Sequence, residues 1–245
     1  MKIALVGYGK MGHAIEAAAL ARGHEIAFRI DQHNIDELEA LSEQNTDVCI
    51  EFTHPDAVLA NLKRLIPKTI PMVIGTTGWE SLRDDIRKLT LNQGTGLVYA
   101  SNFSLGMNVM FRLNKELARI MDRYPQYDVF VEDQHHAEKK DSPSGTALSL
   151  AEQVVAGLAR KTAYVNTHDL AQRAPEAHEL SISSVRAGKI VGIHQVSYTC
   201  DEDTITLRHE AHNRNGFAVG AVVAAELIAQ RKGFFEFSEL LWGQE

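Results

Sequence analysis

Between Glu132 and Ala147 the chain reads E-D-Q-H-H-A-E-K-K-D-S-P-S-G-T-A. His135 and His136 can give or take a proton near neutral pH, and Lys139 adds a cation three residues later. Ser144, Gly145 and Thr146 open a helix, with Ser144 or Thr146 as its N-cap, and the backbone N–H groups of such a start attract anions. A proton donor, a cation and an anion-binding turn this close together describe a cradle for a small anionic substrate. The competing structural account is a strand with one imidazole in the core and the other in solvent, flanked by solvated Lys139 and Lys140. Asp141 either orients Lys139 or caps the turn. No metal site is expected, because ligation by the histidines needs a third partner at suitable spacing.

A second chemistry lies at the start of the chain. Gly7, Tyr8, Gly9, Lys10, Met11 and Gly12 spell G-Y-G-K-M-G, a G-x-G-x-x-G turn directly after an apolar strand and before a helix. Such glycines allow a tight turn and a close approach to a pyrophosphate, which the helix N-terminus attracts. Asp31, about 20 residues on, ends the next strand at the distance where a carboxylate reaches the adenosine ribose hydroxyls. Asp31 repels a 2′-phosphate and is followed by Gln32 and His33 rather than arginine, which favours NADH; Arg29 and Lys10 keep NADPH possible. Gly75, Thr76 and Thr77 of G-T-T-G, and Ala100, Ser101, Asn102 and Phe103 of A-S-N-F, follow later strands, where ligands of open parallel sheets gather. They are expected to face the nicotinamide half, although ordinary strand-to-helix turns would look the same.

These residues need a frame that puts them at strand ends. Strands at Lys2–Val6, His24–Ile30, Asp47–Phe52, Met72–Ile74 and Gly96–Ala100 alternate with helical stretches at Ala14–Ala21, Asp56–Ile66 and Ser81–Leu91. That order predicts an α/β fold, a Rossmann-type parallel sheet covered on both faces. From Leu105 the pattern changes to a long helix (Leu105–Met121), a strand (Tyr127–Val131) and a helix (Ser144–Leu158). Three more strands follow (Glu179–Val185, Ile190–Tyr198, Thr204–Glu210), with Thr162–Glu179 as the irregular segment. The pattern implies an α+β domain with a mixed or antiparallel sheet, its I-T-L-R-H-E-A strand alternating as if one face were solvated. The expected boundaries are a dinucleotide-binding domain at 1–104 and a substrate and oligomerisation domain at 105–212. A C-terminal helical segment within 213–245 packs back on the first. With cofactor and substrate on different domains, closure on binding is expected.

A net charge of −7 without a basic patch argues against nucleic acid. Cys49 and Cys200 have no metal or disulfide spacing, and no apolar run has signal or membrane-spanning length, so a cytoplasmic protein with reduced thiols and no membrane partner is expected.

The segment H-H-A-E-K-K-D-S-P-S-G-T-A resembles the H-H-x-x-K-x-D-x-P-S-G-T-A signature of the 4-hydroxy-tetrahydrodipicolinate (dihydrodipicolinate) reductase family. The resemblance extends over nearly the whole chain through G-Y-G-K-M-G, G-T-T-G, A-S-N-F-S-L-G, S-V-R-A-G, G-I-H-Q-V and H-E-A-H-N-R-N-G-F-A-V-G-A. The glycine turn is one residue shorter than the G-x-x-G-x-M-G of many members, and Lys10 stands where arginine is common. The resemblance implies reduction of a cyclic imine dicarboxylate with NADH or NADPH in lysine and diaminopimelate synthesis, by a homotetramer. It implies His135 as proton donor and acceptor, Lys139 as second donor, and His136, Ser144, Gly145 and Thr146 as carboxylate binders. The alternatives are a non-catalytic NAD(H)-binding redox sensor, or another Rossmann oxidoreductase acting on an amino-acid-derived anion. An aspartate-semialdehyde type would want a cysteine where this chain has Ser101.

Overall fold

The computed structural model describes residues 1–170 and 173–243. The chain begins with β1 (Lys2–Val6), α1 (Lys10–Ala21), β2 (Glu25–Ile30), β3 (Val48–Glu51), α2 (Pro55–Leu65), β4 (Met72–Ile74), α3 (Arg83–Gln93) and β5 (Gly96–Tyr99). Next come α4 (Leu105–Met121), β6 (Asp128–His135), α5 (Gly145–Gly157), β7 (Ala163–Asn166), β8 (Glu179–Arg186), β9 (Ile193–Thr199) and β10 (Thr204–Glu210). It closes with α6 (Asn215–Ile228), β11 (Gly233–Glu236) and α7 (Phe237–Trp242). These elements form two compact units, Met1–Leu105 with the segment from Arg214 on, and Gly106–Asn213.

In the first unit six parallel strands run in the order β11-β5-β4-β3-β1-β2. Both faces are covered, so β3 and β4 are buried throughout, as parallel strands between helical layers must be. Alternate residues feed different layers. Ile3, Leu5, Ile50, Val73 and Val98 pack with side chains of α1, α6 and α7. Ala4, Val6, Cys49, Met72, Ile74 and Leu97 pack with those of α2 and α3. The small residues of α6 let its backbone come close: a Cβ on Gly220 would lie 1.7 Å from the Phe103 carbonyl oxygen. Glu226 ties α6 to Arg22 (2.7 Å) and His24 (2.8 Å) beside α1.

The segment after α6 is more than a closing helix. β11 joins the sheet edge beside β5, and α7 follows with a capping box between Glu236 and Glu239. A four-residue edge strand and a six-residue helix are too short to carry a readable period. Among the described residues no helix is long and apolar enough to cross a membrane.

The second unit has a five-stranded sheet in the order β10-β9-β6-β8-β7. β6–β8 and β7–β8 are parallel whereas β6–β9 and β9–β10 are antiparallel, so the sheet is mixed. Side chains of α4 and α5, among them Met107, Met110, Leu150 and Val154, pack on Val129, Val131, Ile182, Val196 and Tyr198. One expectation fails here and another holds only in part. The segment 162–179 holds β7 and a 3-10 turn at Thr167–Leu170, with Ala171 and Gln172 outside the described residues; A-Y-V-N becomes a strand through its pairing with β8, not through its own pattern. β10 has no fully buried residue and Ile205 is 40% exposed, but Leu207 packs against the core and, like His209, is half-buried, so the alternation survives only in the second half of this edge strand.

Candidate active site

In the first unit every predicted cofactor residue falls at the carboxyl edge of the parallel sheet. Gly7 follows β1, Asp31 follows β2, Gly75–Thr77 follow β4 and Ala100–Phe103 follow β5. β1 and β3 are neighbours although β2 lies between them in sequence, so the chain reverses its winding there and leaves a crevice where dinucleotides bind. The fit is tight at the turn itself. Gly7 has φ +100°, and a Cβ there would lie 2.0 Å from the Phe52 carbonyl oxygen; one on Gly12 would lie 2.4 Å from that of Gly7. Lys10, Met11 and Gly12 are the first residues of α1, so their N–H groups have no partner within the helix and can meet a pyrophosphate. Tyr8 donates to Glu16, which also pairs with Arg29, and the Arg29 guanidinium stands 6.0 Å from the centre of the Tyr8 ring. Asp31 is half-buried and accepts from the His33 N–H (2.7 Å). Phe52 and Thr53, after β3, complete the edge: Thr53 N–H donates to Thr76 Oγ1 (2.7 Å), and the Phe52 and Phe103 rings stand 5.8 Å apart.

In the second unit the structure gathers the histidine segment around a buried carboxylate. β6 runs as far as His135, further than Val131, so Asp133 and His135 share a face. Asp133 is fully buried and His135 is 8% exposed, while His136, just past the strand, is half-buried. One ring inward and one outward is the alternation a strand imposes, yet the inward ring meets polar groups. Asp133 Oδ2 lies 3.3 Å from His135 Nδ1, accepts from the Ser144 N–H (3.0 Å) and accepts from Arg186 (3.2 Å). Ser144 is the N-cap of α5, accepting from Ala147 N–H (3.2 Å), and its hydroxyl meets His194 Nε2 at 3.2 Å. Thr146 therefore is the second residue of the helix, and the N–H groups of Gly145 and Thr146 have no partner within it. Lys139 pairs with Asp141 (2.7 Å), whose carbonyl accepts from Arg186 (2.6 Å). A Cβ on Gly192 would lie 3.2 Å from His135 Nε2, so the absence of a side chain lets the chain before β9 lie close against the ring. The structure thus links His135, Ser144 and the Lys139 loop. Among the described residues the His136 side chain takes no part in that network.

Burial pushes the His135 imidazole below its usual range; the Asp133 charge opposes this, Lys139 and Arg186 add to it, and Asp141 opposes it. Burial likewise brings His194 down to about 4, with His135 adding to the effect and Asp133 opposing it. Burial works to raise Asp133, but its neighbours Ser184, Ser144 and Arg186 outweigh it and hold the carboxyl below its ordinary value. At neutral pH the resting cluster therefore pairs a carboxylate with two neutral imidazoles. Asp133, His135 and His194 each offer one ligand atom within 4.8 Å of the others, the third partner that sequence spacing lacked. The Arg186 guanidinium on the same carboxylate opposes any added cation, and Ser144 joins Asp133 to His194 through its N–H and its hydroxyl.

Asp133, Arg186 and His194 were not singled out in the sequence, although S-V-R-A-G and G-I-H-Q-V carry two of them. The available signal was local: Asp133 precedes His135 by two residues on one strand, an acid and an imidazole on a common face.

Comparison with known proteins agrees with this architecture. The family profile described as "Dihydrodipicolinate reductase, N-terminus" matches residues 1–103, and that described as "Dihydrodipicolinate reductase, C-terminus" matches 106–241. A 4-hydroxy-tetrahydrodipicolinate reductase from Christiangramia forsetii is 39% identical over 98% of each chain. One from Rickettsia rickettsii is 36% identical over 89% of this chain and 88% of that one. Among solved structures, the dipicolinate-bound dihydrodipicolinate reductase from Paenisporosarcina sp. TG-14 shares the fold at a TM-score of 0.79, with 24% identity over 96% of this chain and 97% of that one. Both halves of the chain are matched and the likeness to named reductases runs from end to end, so the chain belongs to the dihydrodipicolinate reductase family of oxidoreductases.

Proposed function

We propose that this protein reduces 4-hydroxy-tetrahydrodipicolinate (dihydrodipicolinate) to tetrahydrodipicolinate with a reduced nicotinamide, in the cytoplasmic synthesis of diaminopimelate and lysine. The observation that carries this reading is the buried pair of Asp133 and His135 beside the open N-terminus of α5 and the Lys139 loop. A nicotinamide bound at the glycine turn would supply a hydride to the conjugated ring that forms when the 4-hydroxyl leaves as water, which balances the conversion to tetrahydrodipicolinate. Gly7 to Gly12 and the start of α1 hold its pyrophosphate, and Asp31 accepts from the ribose hydroxyls. Gly75, Thr76, Thr77, Ala100, Ser101, Asn102 and Phe103 would face its nicotinamide half. On the substrate, Lys139, His136 and the Ser144 to Thr146 turn hold the two carboxylates, and His135 delivers the proton that quenches the electron density the hydride creates. A dianion beside His135 raises the affinity of its ring for that proton, so substrate itself loads the acid.

The test is a coupled assay in which a dihydrodipicolinate synthase generates substrate in situ while loss of reduced nicotinamide absorbance is followed. Consumption is expected with both cofactors and with higher efficiency for NADH. Two features support NADH: Asp31 repels a 2′-phosphate, and Arg29, the nearest candidate to bind one, is already neutralised by Glu16. Glu16→Gln should therefore narrow the preference. An efficiency about tenfold higher with NADPH would overturn the cofactor choice, and NADH binding without consumption would favour a redox sensor.

The exposed edge strand β10 supports a homotetramer assembled through the second unit, since a bare strand edge seeks a partner. Sedimentation equilibrium is expected to give four times the 27.2 kDa chain mass; a monomer at assay concentrations would rule it out.

A further inference from the structure

We propose that Asp133 is a positioning residue that holds the His135 ring, the Ser144 cap of α5 and, through Arg186, the Lys139 loop in one arrangement. This rests on the proposed role of His135 as proton donor and extends it to a residue that does not itself touch substrate.

Asp133 sits in the central strand of the second sheet, opposite Ser184 of β8 on one side and His194 of β9 on the other, while His135 stands opposite Arg186. A fully buried carboxylate is costly unless its oxygens are engaged. Here a single oxygen, Oδ2, takes the Ser144 N–H at 3.0 Å and the Arg186 guanidinium at 3.2 Å and lies 3.3 Å from His135 Nδ1. The same Arg186 nitrogen donates at 2.6 Å to the carbonyl of Asp141, whose carboxylate holds Lys139 at 2.7 Å. Groups from three stretches of chain thus meet on one oxygen, and Arg186 extends the link to the Lys139 loop. His135 Nδ1 makes no hydrogen bond in this arrangement, and catalytic hydrogen bonds commonly tighten when substrate binds. With Nδ1 turned to the carboxylate, Nε2 lies on the side of Gly192, where an added Cβ would come within 3.2 Å.

The charged and titratable groups facing His135 are Asp133 on its own strand, Lys139 and Asp141 on the following loop, Arg186 on β8 and His194 on β9. His194 in turn faces His209 of β10. Of the two carboxylates that favour the imidazolium, Asp133 has the larger influence. Removing its charge makes His135 harder to protonate.

The test compares full-length wild type with Asp133→Asn and Asp133→Glu in the coupled assay, following kcat and kcat/KM against pH. Asp133→Asn is expected to lower kcat about 10–100-fold, as loss of a supporting residue typically does, and to move the alkaline fall of kcat/KM to lower pH. Asp133→Glu should recover much of both. Wild-type turnover that His135→Gln abolishes, together with an Asp133→Asn enzyme of normal kcat and unmoved pH profile, would overturn the role of Asp133 and leave the reductase reading standing. An inactive wild type would instead remove the reading on which it rests. Should Asp133→Asn fail to fold, nitrogen-15 NMR of histidine-labelled wild type decides: neutral His135 protonated on Nδ1 is expected, and protonation on Nε2 alone would overturn the proposal.

Discussion

His135→Gln should lower kcat by about 10²–10⁴-fold, the typical effect of losing a positioned general acid, with little change in KM. Glutamine occupies similar space and keeps polar contacts, so the carboxylate grips of Lys139 and the α5 turn survive while the proton source does not. The pH profile gives an independent check. A general acid must be protonated, so activity falls as pH rises through its pKa. Burial holds His135 below its ordinary range, which places the alkaline fall of kcat/KM, governed by the free enzyme, below the usual imidazole value. The fall of kcat, governed by the complex, should come at higher pH, because bound carboxylates favour the imidazolium. Both falls should disappear with His135→Gln. Lys139→Ala should behave differently, damaging kcat and KM together, because its ammonium both binds a carboxylate and stabilises developing charge. Near-normal turnover in both variants would sink the assignment.

What the sequence reveals here depends on how far apart in the chain the cooperating residues lie. The glycine turn, Asp31, G-T-T-G and A-S-N-F each follow a strand that the local pattern already marks, and the parallel sheet brings those strand ends to one edge without further information. His135, Lys139 and the Ser144 cap lie within one short segment and are legible for the same reason. Arg186 and His194 meet Asp133 only because β8 and β9 flank β6 in a particular register, with Asp133 opposite Ser184 and His194. Nothing in the spacing of these residues encodes that register. β10 shows the converse in part, since its alternation describes a half-buried strand, and at the sheet edge Leu207 and His209 keep partial cover while Ile205 is exposed. β7 and β11 are strands mainly because a neighbour offers hydrogen bonds, which short windows of sequence cannot register.

The buried histidine opposite Asp133 should make the fold sensitive to mild acid. His194 is 6% exposed, its ring stands 5.1 Å from that of His135, and burial lowers its pKa to about 4. In the unfolded chain the same ring titrates near the ordinary value of about 6.5. Between those limits the unfolded state binds the extra proton, so stability decreases as pH falls through that window. The linkage amounts to about 2 kcal/mol lost by pH 5 and about 3 kcal/mol by pH 4 for this group alone, a large share of a typical folding free energy. His135, also depressed, adds in the same direction. Urea unfolding at a series of pH values should therefore show His194→Gln less stable than wild type near pH 7, where the Ser144 contact is disturbed, but losing less stability than wild type on acidification. Parallel pH dependences for the two proteins would mean that His194 is already as easily protonated in the folded protein as in the unfolded chain. The network would then have to carry an imidazolium close to His135 and Lys139 rather than the neutral ring that its burial dictates.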